Sequence, residues 1–128
     1  MAGDLLDYWV RLIKTIFPAN AWIDSRFYNN NYLIQIDWRL ENDPEHPNKR
    51  SKRIEILIKE GFIEDYLNEN TKGRESTDAM LASCICERFN HFKAYDDTYS
   101  VQHAAPERWL IPRHAFRDKL SLNAAPGI

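Results

Sequence analysis

Residues 52–67 read KRIEILIKEGFIEDYL, and the period of the apolar residues changes inside this stretch. Ile54, Ile56 and Ile58 alternate with Glu55, Leu57 and Lys59, the two-residue repeat of a strand. After Gly61 the apolar residues come in pairs, Phe62 with Ile63 and then Tyr66 with Leu67, which is a helical spacing. The stretch therefore reads as a strand that ends at Gly61 and gives way to a short helix. The change of period is an architectural event and needs no functional site to explain it.

The sequence before it supplies a partner strand. In YLIQIDWRL, residues 32–40, Tyr32, Ile34, Ile36, Trp38 and Leu40 alternate with Leu33, Gln35, Asp37 and Arg39. That pattern is a half-buried strand. Upstream, Ile23 and Phe27 share one side of WIDSRFY while Asp24 and Arg26 share the other. Asn29, Asn30 and Asn31 lie between, and Asn tolerates the left-handed backbone of tight hairpins. A one-residue slip would put Arg26 beside Ile34 on the apolar side. The expected hairpin therefore has a two-residue turn at Asn29–Asn30, or a four-residue one. Residues 41–51 carry two prolines, two asparagines and many charges, and read as a loop.

Helices flank this segment. Leu5, Leu6, Trp9, Val10, Leu12, Ile13, Ile16 and Phe17 fall on one arc at about 100° per residue, and Pro18 stops the run. Asp4 and Asp7 sit near the start and Arg11 and Lys14 near the end, as the helix dipole favours. The arc is wider than packing on one sheet requires. It calls for a second cover, either another helix of the chain or a second copy. Farther on, TKGRES reads as a break, and a long helix follows to about Tyr95. Ser76 or Thr77 serves as its cap, with Leu81, Ile85, Phe89 and Phe92 as its stripe. TYSV, residues 98–101, could form a short strand. ERWLI, residues 107–111, lies between Pro106 and Pro112 and suits an edge strand.

The expectation is one α+β domain over residues 1–128, ordered over about 3–112, with a weakly structured tail at 113–128. It has two layers: an antiparallel sheet of three to four strands with helices on one face, in the order α-β-β-β-α-α-β. At 128 residues, 44% apolar and 12% aromatic, the chain can bury a core without disulfides. The net charge of −2 gives no global attraction to nucleic acid or anionic membrane. No apolar run is long enough to span a bilayer, and no secretory leader is evident. Cys84 and Cys86 point to different sides of a helix and cannot bridge there, which fits a reducing compartment and a cytoplasmic location.

Several residue sets could carry chemistry. Cys84, Glu87 and His91 fall within about 60° on the long helix and are all possible zinc ligands, the basis for a metal-dependent enzyme. The polar flank of an amphipathic helix holds such residues anyway. Glu60 and Glu64, with Asp65 and Glu69 nearby, could hold a divalent cation or do acid–base work, but the set reads first as the solvated face of a short helix. Lys49, Arg50, Lys52 and Arg53 form a basic cluster that could contact phosphates, although acidic neighbours surround it. Asp96 and Asp97, with His91 and His103, offer carboxylate and imidazole but no nucleophile placed beside them. With four glycines and no Gly-rich loop, no nucleotide cofactor is expected. The favoured expectation is a non-enzymatic domain that binds another protein or itself. Leu5, Tyr8, Trp9 and Leu12 on the first helix are its candidate contacts. Nucleic-acid binding through residues 49–53 and a metal enzyme are the alternatives.

Overall fold

In the computed structural model the described residues are 2–40, 50–94 and 105–116. They form helix α1 (Ala2–Lys14), strands β1 (Trp22–Tyr28), β2 (Asn31–Asp37) and β3 (Ile54–Ile58), helices α2 (Glu60–Leu67) and α3 (Thr71–Asn90), and strand β4 (Glu107–Ile111). The element order is the one the periodicities predict. The sheet runs β1-β2-β3-β4, antiparallel over the first two pairings and parallel between β3 and β4. The sheet is therefore mixed. A parallel neighbour requires a long crossover, and α2 and α3 supply it.

The β1–β2 hairpin has the two-residue turn. Asn29 and Asn30 both adopt positive φ, at 49° and 65°, and Phe27 pairs with Tyr32. Such a turn matches the twist of its strands, and Asn accepts the left-handed region at low cost. The register sends Tyr32, Ile34, Ile36, Ile54, Ile56, Ile58, Trp109 and Ile111 to one face, where all are buried. The helices lie against that face. Trp9 is 0% exposed and meets Tyr32, Phe62 and Tyr66, with ring centres 5.8, 5.8 and 4.9 Å away. A second aromatic group gathers Phe17, Trp38, Phe89, Phe92 and Trp109.

The broad arc of α1 is covered from within the chain. Leu5, Leu6, Trp9, Ile13 and Phe17 are buried, and Val10, Leu12 and Ile16 pack partly against the same core. Besides touching the sheet, α1 contacts α3. The second cover is thus another helix.

Two glycines act otherwise than as breaks. Gly61 is the second residue of α2, and no glycine among the described residues has positive φ. The strand ends because Glu60 N–H donates to Asn31 Oδ1 at 2.9 Å, a cap supplied by the neighbouring strand. What Gly61 provides is room: a Cβ there would stand 2.8–3.0 Å from carbons of Arg113. Gly73 lies in the first turn of α3, which starts at Thr71, five residues before the expected cap. Asn70 is the actual N-cap, accepting from Gly73 N–H at 2.8 Å, and Thr77 donates to Glu69 Oε2 at 2.9 Å. Arg74 in this turn donates to the carbonyls of Tyr66 and Leu67, closing the C-terminus of α2. These bonds offset the cost of glycine in a helix, about 1 kcal/mol.

Beyond β4 the ordered chain continues through a turn to Phe116, which is buried with its ring 5.7 Å from Phe62. Residues 113–116 are therefore part of the packed domain. Most of the 41–51 loop, the TYSV segment and the rest of the tail lie outside the described residues.

Candidate functional site

The face of the sheet away from the helices carries an ordered polar row beside an apolar one of Leu33, Leu57 and Leu110, the last 44% exposed. Asp24, Gln35, Glu55 and Arg108 stand in one row across the four strands. Arg26 donates to Asp24 and to Gln35 Oε1, Gln35 donates to Glu55 Oε2 at 2.9 Å, and Arg108 donates to Glu55 Oε1 at 3.1 Å. Burial alone would raise the pKa of Glu55. The hydrogen bonds from Gln35 and Arg108, with the charges of Arg108 and Arg53, outweigh it and hold the carboxyl below its usual range. A depressed carboxyl favours the folded state above its unfolded pKa, about 4.3, and this contribution is lost as pH falls below it. The gap in urea midpoint between pH 7 and pH 3.5 should therefore be smaller in Glu55→Gln than in the parent chain.

A second row holds Trp22, Asp37 and the chain leading into β3. Asp37 is buried, and both Arg50 and Arg53 donate to it, Arg53 Nε at 3.3 Å; Arg53 also lies 5.8 Å over the Trp22 ring. Arg50 and Arg53 of the basic cluster are thus brought together by a carboxyl group. Lys52 is half-buried, with its backbone bonded to Ala94, and Lys49 lies outside the described residues.

Beside these rows lies the outer edge of β1, which has no partner strand among the described residues. Of six large apolar side chains exposed among the described residues, three belong to this strand: Trp22 at 47%, Phe27 at 56% and Tyr28 at 54%. Trp22 and Tyr28 stand on the polar face, and Phe27 on the helix side against Tyr32. The strand contains no Pro, and its two charges, Asp24 and Arg26, pair with each other instead of standing as isolated charges that would deter an incoming strand.

The four α1 candidates separate. Trp9 and Leu5 are buried within the chain and offer no free surface; Leu12 is half-buried, and Tyr8 is 40% exposed. Tyr8 and Trp9 instead help to hold Asp78, a buried residue of α3. Tyr8 OH donates to Asp78 Oδ2 at 2.8 Å, Tyr66 OH to the same oxygen at 3.2 Å, and Trp9 Nε1 to Oδ1 at 3.0 Å. The hydrogen bond to Asp78, then burial, raises the Tyr8 hydroxyl pKa; burial first, then the charge of Asp78, raises that of Tyr66 well above its usual value. The sequence reading missed this cluster. It joins three helices.

Cys84, Glu87 and His91 do share one wall, that of a cleft of about 530 Å³ opposite Glu107, Arg108 and Trp109. Glu107 Oε2 is buried there without a hydrogen-bond partner among the described residues. Among those residues no three of His, Cys, Asp and Glu come together as a metal site, so the three form no ligand set. Asp65 of the acidic helix face is held by Arg113 through two bonds of 2.9 and 3.0 Å. Asp96, Asp97 and His103 lie outside the described residues.

The described residues define a two-layer α+β domain whose outer sheet face carries a charge-paired row and whose β1 edge, unpaired among those residues, bears exposed aromatic side chains. Among the described residues no helix is long and apolar enough to cross a membrane. No protein-family model, no curated protein and no solved structure matches the chain.

Proposed function

We propose that this chain is a non-enzymatic protein-interaction module that takes an extended polypeptide segment onto the free edge of β1. The observation that carries this reading is the concentration of exposed aromatic surface on that strand. Strand addition gains affinity from backbone hydrogen bonds, and flanking side chains give selectivity. Trp22, Phe27 and Tyr28 are the large, semi-rigid groups that dominate such contacts. The nucleic-acid reading has less support. Arg50 and Arg53 share the carboxylate of Asp37, which offsets one of their two charges, and the chain is acidic overall.

A photo-activated phenylalanine analogue placed at position 27 or 28, in cells that make the protein, tests the proposal. The expected result is a covalent adduct with a polypeptide from both positions and none from Leu67, an exposed apolar residue on α2. Absence of any adduct from β1 would sink the reading.

A further inference from the structure

We infer that the segment taken up by β1 is β1 of a second copy, paired antiparallel about a two-fold axis through Ser25; this rests on the proposed role of the edge and names its occupant. The backbone geometry comes first. A two-residue turn closes on Tyr28 and Asn31 as a hydrogen-bonded pair. Trp22, Asp24, Arg26 and Tyr28 therefore direct their N–H and C=O groups to β2, and Ile23, Ser25 and Phe27 direct theirs outward. An axis through Ser25 sets Ser25 against the second copy's Ser25, and Ile23 against the second copy's Phe27. All are outward-facing residues that can exchange both hydrogen bonds.

Side-chain chemistry then selects this register. On the polar face, Asp24 stands opposite the second copy's Arg26, and Arg26 opposite the second copy's Asp24. Trp22 stands opposite the second copy's Tyr28. On the other face, the ring of Phe27, exposed at present, gains Ile23 of the second copy as cover. Moving the axis to Asp24 opposes two carboxylates, and moving it to Arg26 opposes two guanidinium groups, both of which disfavour pairing. A shift by an odd number of residues sets outward-facing groups against inward-facing ones and sends side chains to the wrong face. The strand WIDSRFY is thus self-complementary in one antiparallel register. The Asp24–Arg26 contact within one chain is solvent-exposed and offers weak competition.

The test is sedimentation of the whole chain and of two variants, with circular dichroism to verify folding. The parent chain is expected to dimerise in a concentration-dependent way. Asp24→Arg and Arg26→Asp each place like charges opposite one another twice, and each should weaken self-association about thirtyfold or more. Mixed in equal amounts, the two variants restore every opposite-charge pair and should form a heterodimer. A monomeric parent chain overturns the inference, as does a dimer indifferent to both variants or a mixture that fails to associate. If the parent is monomeric but position 27 still cross-links to a different protein, strand addition stands and self-pairing falls. If neither position 27 nor position 28 captures anything, both fall.

Discussion

Replacing Trp9 by Ala is expected to lower the stability of the domain by about 3–5 kcal/mol, the range for emptying a fully buried aromatic site. Trp9 is 0% exposed and packs on one residue of the sheet and two of α2, so no single neighbour can move in to fill the space. Its indole N–H is also lost to Asp78. Against a domain stability of about 5–15 kcal/mol, this is a large fraction. The midpoint of thermal unfolding should fall by about 15 °C. Trp9→Phe keeps most of the volume and drops only the donor, so it should cost about half as much or less. Thermal melts followed by far-UV circular dichroism read both. A Trp9→Ala chain that melts within a few degrees of the parent would mean that α1 is not docked as described.

Much of this architecture is written locally. Ile54, Ile56 and Ile58 alternate cleanly, and the triple Asn with its flanking pattern leaves few hairpin registers. The strands therefore fall where a period of two puts them. The direction of β4 is not written locally, because ERWLI alternates in the same way whether it runs with β3 or against it. Its pairing follows from how the intervening helices return the chain. Nor could the hairpin alone reveal that β1 ends the sheet, since either of its strands could have taken the next neighbour. Glycine misled at two positions. Gly61 and Gly73 look like punctuation, yet each sits in the first turn of a helix where a side chain would crowd Arg113, or Glu69 and Asn70. The caps that define those starts come from Asn31 and Asn70, and Asn31 is 29 residues from the helix it caps. The exposed aromatic surface is hidden from local pattern for the same reason. The apolar arc of α1 was plain in the sequence, but only the tertiary structure shows that α3 covers it and that bare aromatic surface lies on β1.

Asp78 is the clearest case of a residue whose role is tertiary, and its removal is the second large effect expected. In sequence it is one acid near the start of an amphipathic helix, where an acid is unremarkable. In the fold it is buried and receives donors from residues 70, 69 and 12 positions away. Asp78→Ala strands the Trp9 N–H and the Tyr66 hydroxyl away from water, whereas the Tyr8 hydroxyl, on a residue 40% exposed, can turn to solvent. Two buried donors left without an acceptor cost about 3–4 kcal/mol together. Asp78→Asn keeps an acceptor for the indole and offers the tyrosine oxygens a donor, so about 1 kcal/mol is expected. The pH dependence separates this account from mere loss of packing. Both tyrosines have pKa values raised by folding, so their contribution is complete below the unfolded value of about 10 and is lost as pH climbs past it. Asp78 supplies part of both shifts, through its hydrogen bonds and its charge. Asp78→Asn should therefore lose less stability between pH 8 and pH 11 than the parent does, measured by urea unfolding at each pH. Equal alkaline losses in the two chains would show that Asp78 does not hold these hydroxyls, leaving the indole of Trp9 as its only donor of the three.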